Sequence, residues 1–280
     1  MSQIDLGGKM SEFIGIINYL DLGPGFIIAV YVITFLLGIT IGSFLNVCIF
    51  RIPLKQEIAI ERSHCMSCGH YLKWYELIPL FSWMIQGGKC RACKAKISKQ
   101  YPIVEATNGL LWLLVLTIWG LRLETILFCI CTSLLIVISV IDERTQEIPI
   151  QLNIGIAILG VLRIVVDVIF RQGQWLEFVI GFFTVSTLFF LIVLITKGRG
   201  MGMGDVKLMA AAGLLLGWKH ILLAMMLGCI LGSVIHIIRM KVDKTKEHVL
   251  AFGPYLSMGI YLTILFGNPI LEWYLGFFKH

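Results

Sequence analysis

Eight stretches of this chain are too apolar, for too long, to have water as their solvent. They run over roughly 26–50, 103–121, 125–141, 149–170, 175–195, 207–218, 221–238 and 255–277. Lipid offers the backbone no hydrogen bonds, so a crossing segment must satisfy its own, and apolar runs of about 20 residues do so as helices. Composition agrees: the chain is 58% hydrophobic and only 14% charged, with a mean hydropathy of +0.88, outside the range of a water-soluble globular domain. The expected fold is all-α, a polytopic membrane protein of about eight transmembrane helices.

Cations fix the orientation. With the N-terminus outside, seventeen of the 23 Lys and Arg residues fall in inner loops: nine in 51–101, then Arg144, then Lys197, Arg199 and Lys207, and four in 239–246. Lys9, Arg122, Arg171, Lys219 and Lys279 stay outside, and Arg163 lies within a span, four residues before Asp167. Cytoplasmic loops retain cations, which favours this arrangement. The sixth span is short and rich in Ala and Gly, yet omitting it would move 239–246 outside, so it is kept. The expected organisation is an extracytoplasmic segment 1–25, a first transmembrane helix 26–50, a cytoplasmic cysteine domain 51–101 and a seven-helix membrane domain 102–280. The first 25 residues lack the basic start and small-residue cleavage site of a secretory signal.

The loop 51–101 holds nine basic and three acidic residues, a balance of +6 that equals the net charge of the whole chain. Such a loop attracts anionic lipid headgroups. No nucleic-acid-binding motif accompanies the charge, so nucleic acid is not expected as a partner. Within it, Cys65-Met-Ser-Cys68 and Cys90-Arg-Ala-Cys93 are separated by 21 residues. Two C-x2-C knuckles at that distance suit four thiolates around a tetrahedral zinc ion, and four thiolates leave no open position, so the metal is structural. Disulfides are the competing reading, disfavoured in a reducing cytoplasm. A loop of this size has too little core to hold shape without a cross-link. His64 and His70 flank the first knuckle as bystanders, and Cys48, Cys129, Cys131 and Cys229 read as packing residues in apolar spans.

Ionisable groups at membrane depth need a reason to be there. Asp142 ends a long apolar stretch and Asp205 closes Gly202-Met-Gly204-Asp205, both on the inner side. Solvated acids paired with Arg144 and Lys207 are the plain reading of either alone. Together they favour catalysis: two close carboxylates cannot both ionise, so one takes a proton from water while the other donates to a scissile carbonyl. Gly202 and Gly204 would let the backbone turn and approach a substrate strand. Glu143 and Glu147, beside Asp142, could draw in a basic segment, although solvated helix-end acids explain them equally. Glu105, at the inner end of the second span, could snorkel, hold another helix or border the site. Asn46, four residues after Gly42, suits an interhelical hydrogen bond with Gly42 permitting close approach.

Several motifs then occur in a specific order: Gly42-Ser-Phe-Leu-Asn-Val47 with Arg51-Ile-Pro53, Ser63-His-Cys65-x-x-Cys68-Gly-His70, Ile78-Pro-Leu-Phe-Ser-Trp83, Gly88-x-Cys90-x-x-Cys93, Tyr101-Pro-x-x-Glu105, Asp142 with Ile148-Pro149, Gly202-x-Gly-Asp205-Val-Lys-Leu208, and Phe252-Gly-Pro254. In this order the chain resembles the bacterial type IV prepilin peptidases, over nearly its whole length. The resemblance implies an aspartic endopeptidase of the G-x-G-D membrane class, in the bacterial cytoplasmic (inner) membrane, with Asp142 and Asp205 as its catalytic pair. It implies prepilins and pseudopilins as substrates, cut at the cytoplasmic face after a short basic leader. It also implies N-methylation of the new terminus from S-adenosylmethionine, associated with the cysteine loop, where Gly88 is a matching position for cofactor binding. Met66, Gln100 and Ile150 depart from the usual pattern. The alternatives are a proton- or cation-coupled transporter and a non-catalytic zinc-bearing scaffold of a pilus or secretion assembly. No H-E-x-x-H or G-x-S-x-G run supports another protease chemistry.

Overall fold

The computed structural model of the protein describes residues 23–58, 62–171, 173, 175–242 and 251–277. The N-terminal segment 1–25 lies almost wholly outside the described residues, as do 243–246 of the last basic run. Every predicted span is met by a helix. The order is α1 (Pro24–Arg51), a single 3-10 turn (Trp74–Glu76), the short α2 (Phe81–Ile85), α3 (Gln100–Trp119), α4 (Leu123–Thr145), α5 (Ile150–Arg171), α6 (Trp175–Thr196), α7 (Met203–Leu216), α8 (Trp218–Val242) and α9 (Gly253–Gly276). The described residues contain no strand, only two isolated bridges in the cysteine loop. Helices begin and end where the backbone chemistry changes. Pro24 and Pro254 sit in first turns, where a missing N–H costs nothing. Gly120 and Gly217, with φ of 71° and 85°, separate α3 from α4 and α7 from α8.

Seven of these helices are long and apolar enough to cross a membrane, so this is a multi-pass membrane protein. The helix at the sixth span, α7, has 14 residues and rises about 21 Å against a hydrocarbon core of about 30 Å. Its neighbours cover it instead of lipid: ten of its residues are buried. Glycines make the cover close. A Cβ at Gly181 of α6 would overlap the Gly213 carbonyl oxygen of α7, and one at Gly160 of α5 would stand 2.9 Å from the Leu214 carbonyl carbon. Arg163 of α5 donates to the Leu215 carbonyl, one of the terminal carbonyls a helix leaves without an internal partner. Its guanidinium also lies 5.0 Å and 5.2 Å from the Phe128 and Phe178 rings, so a cation inside a span is explained by the end of α7.

The same contacts set depth. Gly217 lies beside the Glu177 carbonyl in the first turn of α6, and α6 and α7 run antiparallel from there. The 22 residues of α6 rise about 33 Å, and with Gly217 level with Glu177 the first residue of α7 is level with Leu191, about 7.5 Å short of the far end of α6.

The described residues form two compact units, one up to Thr117 and the other from Ile118 onward. In the first, α1 and α3 meet on glycine. A Cβ at Gly38 would lie 2.8 Å from the Gly109 Cα, and one at Gly42 2.7 Å from the Glu105 Cα. Asn108 donates to the Gly38 carbonyl at 2.7 Å. Asn46 donates to the Gly42 and Tyr101 carbonyls at 3.3 Å each and accepts from Gln100 at 3.3 Å. The expected interhelical hydrogen bond at Asn46 is present, and Gln100 takes part in it. Arg51, buried at the end of α1, donates to the Glu57 and Ile58 carbonyls at 3.0 Å and 3.4 Å, turning the chain into the cysteine loop.

The backbone contact of α6 with α7 yields a prediction. Gly181→Ala should lower the unfolding midpoint in detergent by about 5 °C or more. Gly155→Ala, whose Cβ would meet only the Leu134 side chain at 3.1 Å, should shift it much less. Equal shifts would contradict the contact.

Candidate active site and cysteine centre

Asp142 and Asp205 belong to the same compact unit, and each is held by the start of a helix. Asp205 is the third residue of α7, whose N-cap is Gly202. From there its carboxylate reaches back to accept the Gly202 N–H, one half of a capping box. Asp142, near the end of α4, accepts the Gly253 N–H at the first residue of α9, at 2.9 Å. A helix start carries unsatisfied N–H groups and a positive end, so it can solvate an anion where water is scarce. Asp142 is 5% exposed and Asp205 8%, which rules out the reading of both as solvated surface acids, while Arg144 and Lys207 are exposed. The two acids are close enough that the charge of Asp142 bears on Asp205.

Glycines around the acids serve space more than conformation. Gly253 must lack a Cβ, which would stand 2.6 Å from the Asp142 Oδ2. Gly204 lets the first turn of α7 approach Ile148, where a Cβ would lie 3.0 Å from the Ile148 Cβ. Gly202 has φ −79°, open to any residue, so the sharp turn expected of the two glycines is not what they provide. Glu143 pairs with Arg239 at 3.0 Å, so its charge is engaged by α8. One turn into α5, Asn153 is buried and neither of its amide atoms has a protein hydrogen-bond partner.

The cysteine centre lies in the other unit. The Sγ atoms of Cys65, Cys68, Cys90 and Cys93 all fall within 4.8 Å of one another, and those of Cys65 and Cys93 are 3.8 Å apart. A zinc–sulfur bond of about 2.3 Å gives a tetrahedron with edges of about 3.8 Å, so the four sulfurs fit that ion. The Ser67 and Cys68 N–H groups aim at the Cys65 sulfur and hold its thiol down to about 6. Cys68 receives the His70 N–H, yet crowding by Cys93, burial and the other two sulfurs push its thiol up to about 12. The arrangement is compatible with a metal ion held between the four sulfurs.

The two knuckles are structural copies, 25 residues apart. Cys65 and Cys90 accept N–H groups from Gly69 and Lys94 and donate to the His70 and Ala95 carbonyls, and Gly69 and Lys94 both have positive φ, 71° and 61°. Glu76 ties them together. Its side chain, 2% exposed, accepts the Lys73 N–H at 2.9 Å, lies 3.3 Å from His70 Nε2 beyond the first knuckle, and is 4.0 Å from Arg91 Nε inside the second. The Lys73 N–H first, then His70 and Arg91, hold its carboxyl below the usual range. Gly88 has φ 66°, and a Cβ there would stand 2.8 Å from the Trp83 ring. Trp83 fills the space its missing side chain leaves.

These observations define an all-helical membrane protein with a buried aspartate pair and a four-thiol cluster. Residues 36–119 match the model of the bacterial peptidase A24 N-terminal domain, and residues 129–237 that of the type IV leader peptidase family. The chain is 31% identical over 267 residues to the prepilin leader peptidase/N-methyltransferase of Stutzerimonas stutzeri, covering 86% of this chain and 92% of that protein. It is 30% identical over 287 residues to the protein of that name from Pseudomonas aeruginosa strain PAO1, covering 94% and 98%. With that of Myxococcus xanthus it shares 30% identity over 236 residues, 81% of this chain and 70% of the relative. No solved structure shows a significant match. The chain belongs to the type IV leader peptidase family.

Glu76 allows a pH test. Because its folded-state pKa is depressed, its contribution is present above the unfolded value of about 4.3 and is lost as pH falls through the lower folded value. Limited proteolysis of the cysteine loop should find Glu76→Gln less protected than the native chain near neutral pH, with the gap closing in acid. A gap that persists undiminished in acid would contradict this role.

Proposed function

We propose that this chain is a prepilin leader peptidase, an aspartic endopeptidase that cuts prepilins and pseudopilins with Asp142 and Asp205 at the cytoplasmic face of the bacterial inner membrane. The observation that carries the reading is the pair itself: two buried carboxylates, each held by the N–H of a helix start, with the charge of one bearing on the other. The names of the relatives support the reaction and the substrate class. The recess of α7 supports a scissile bond met below the membrane surface. The excess of Lys and Arg in 51–101 supports a cytoplasmic position for that loop.

In this mechanism the pair holds one proton. The ionised carboxylate accepts a proton from water as the water attacks the peptide carbonyl, and the neutral carboxyl donates to the carbonyl oxygen. Either aspartate can take either part, since the titration belongs to the pair. Gly202 and Gly253 keep the carboxylates in place without competing as proton donors. A basic leader stays in the cytoplasm while the apolar helix behind it lies in lipid, which presents the bond between them to the recess.

Cys65, Cys68, Cys90 and Cys93 would hold a structural zinc ion, which would cross-link the loop. N-methylation of the new terminus is the second activity, supported by the relatives' names. S-adenosylmethionine, as methyl donor, supplies an electrophilic methyl group.

Three outcomes test this. Asp142→Asn and Asp205→Asn should each reduce leader removal from a synthetic prepilin by about 1,000-fold or more while leaving helical content unchanged. Robust cleavage by either variant would overturn the pair, and no cleavage by the native chain would favour a transporter or scaffold. Elemental analysis should find one zinc per native chain and a loss in Cys90→Ser. A native chain free of zinc would overturn the metal assignment. Mass spectrometry of the cut product with S-adenosylmethionine present reads the added methyl group directly.

A further inference from the structure

The cysteine loop is basic, yet Ile78-Pro-Leu-Phe-Ser-Trp-Met-Ile85 within it is uncharged and apolar apart from Ser82. Its geometry is unusual. Leu80 has φ 61° and ψ −55°, and the Phe81 N–H donates to the Pro79 carbonyl at 2.6 Å, which together make a γ-turn of the strained, positive-φ kind. A leucine adopts that conformation only where its surroundings impose it. The imposing contact is a hydrogen bond from the Leu80 N–H to the Glu105 Oε2, at 2.8 Å.

Glu105 is the sixth residue of α3 and 5% exposed. It lies in the glycine seam with α1, its Cα beneath Gly42 and its carboxylate also bonded by Ser43. The 20 residues of α3 rise about 30 Å, the thickness of the hydrocarbon core, so its first turn stands at the core's edge. Glu105 is then about 7.5 Å inside that edge. Its side chain points back toward the helix start, which puts Leu80 at the boundary of headgroups and acyl chains.

At this level α2 begins. Phe81, Met84 and Ile85 are spaced i, i+3, i+4 and share one face. They are 51%, 58% and 76% exposed, while Trp83 packs against Gly88. We infer that α2 is an interfacial anchor: Phe81, Met84 and Ile85 enter the lipid of the leaflet in which α1 ends and α3 begins, and Glu105 pins the segment there. Lys73 and Lys89 flank it in sequence and are exposed, which suits anionic headgroups on either side of an apolar insertion. The cysteine centre is thereby fixed at the bilayer surface by lipid contact as well as by its covalent connections. This inference uses the membrane setting and stands apart from the peptidase reading.

The test uses the full chain in vesicles of phosphatidylethanolamine and phosphatidylglycerol, with a photoreactive benzophenone amino acid replacing Phe81, Ile85 or, for comparison, Lys96. After irradiation, intact-mass measurement should find lipid adducts at Phe81 and Ile85 in about five-fold or greater excess over Lys96, because only the first two are surrounded by acyl chains. Equal yields at the three positions, or adducts to protein alone at Phe81 and Ile85, would overturn the anchor. Glu105→Ala should reduce the Phe81 adduct several-fold, and Glu105→Gln, whose amide oxygen still accepts the Leu80 N–H, should retain it. An undiminished adduct in Glu105→Ala would remove Glu105 from the proposal. Where Glu105→Ala does not accumulate, the Phe81 and Ile85 comparison in the otherwise native chain decides the anchor.

Discussion

A carboxylate buried among apolar helices must be solvated by something other than water, and here the backbone does it. Asp142 accepts from Gly253, Asp205 from Gly202, Glu105 from Leu80 and Glu76 from Lys73. An unmet buried acid would be costly, and a hydrogen bond to an ionised group is worth roughly twice a neutral one. For two of them the donor lies far away in sequence, and for Glu76 the further partners His70 and Arg91 do the joining. Asp142 fixes the start of α9, Glu105 fixes a strained turn in the cysteine loop, and Glu76 fixes two thiol knuckles to each other. Asp142 and Glu105 each have a remote backbone segment brought to them, while Asp205 and Glu76 are met by the turn they stand in.

Close backbone approach makes that possible without water. In lipid no hydrophobic gain drives helices together, so packing and polar contacts must suffice, and small residues allow both. Gly38 and Gly42 bring α1 to α3, Gly181 and Gly213 bring α6 to α7, and Gly228 and Gly259 bring α8 to α9. The short α7 depends on this most, since its length alone would not carry it across a bilayer. Its far end is closed by Arg163, a half-buried charge that meets a carbonyl left without a partner inside the helix.

Much of this was legible in the amino-acid order because it depends on local rules. The spans follow from apolar run length, and Pro24 marks the start of the first, whereas the expected spans 103–121 and 207–218 ran past Gly120 and Gly217, where the helices stop. The thiol cluster follows from knuckle spacing, and Asn46 follows from a glycine one turn away. What stayed hidden depends on partners far apart in sequence or on conformations without a residue signature. Gly253 could be quoted as part of a motif, but its need to lack a Cβ arises only when Asp142 stands against it. The likeness of the two knuckles was masked because Gly69 in one corresponds to Lys94 in the other. A leucine in a γ-turn announces nothing, so Leu80 and the purpose of Glu105 could not be read ahead. For Gly202 and Gly204, a turn was the natural expectation; helix capping and the approach to Ile148 replaced it.

The bond between Asp142 and Gly253 joins residues separated by 111 positions. During synthesis the ribosome must therefore add more than a hundred further amino acids before that acid finds its donor. A growing chain already threaded into the membrane holds Asp142 without its mate through most of that time. Completion of that contact is thus a late event in translation.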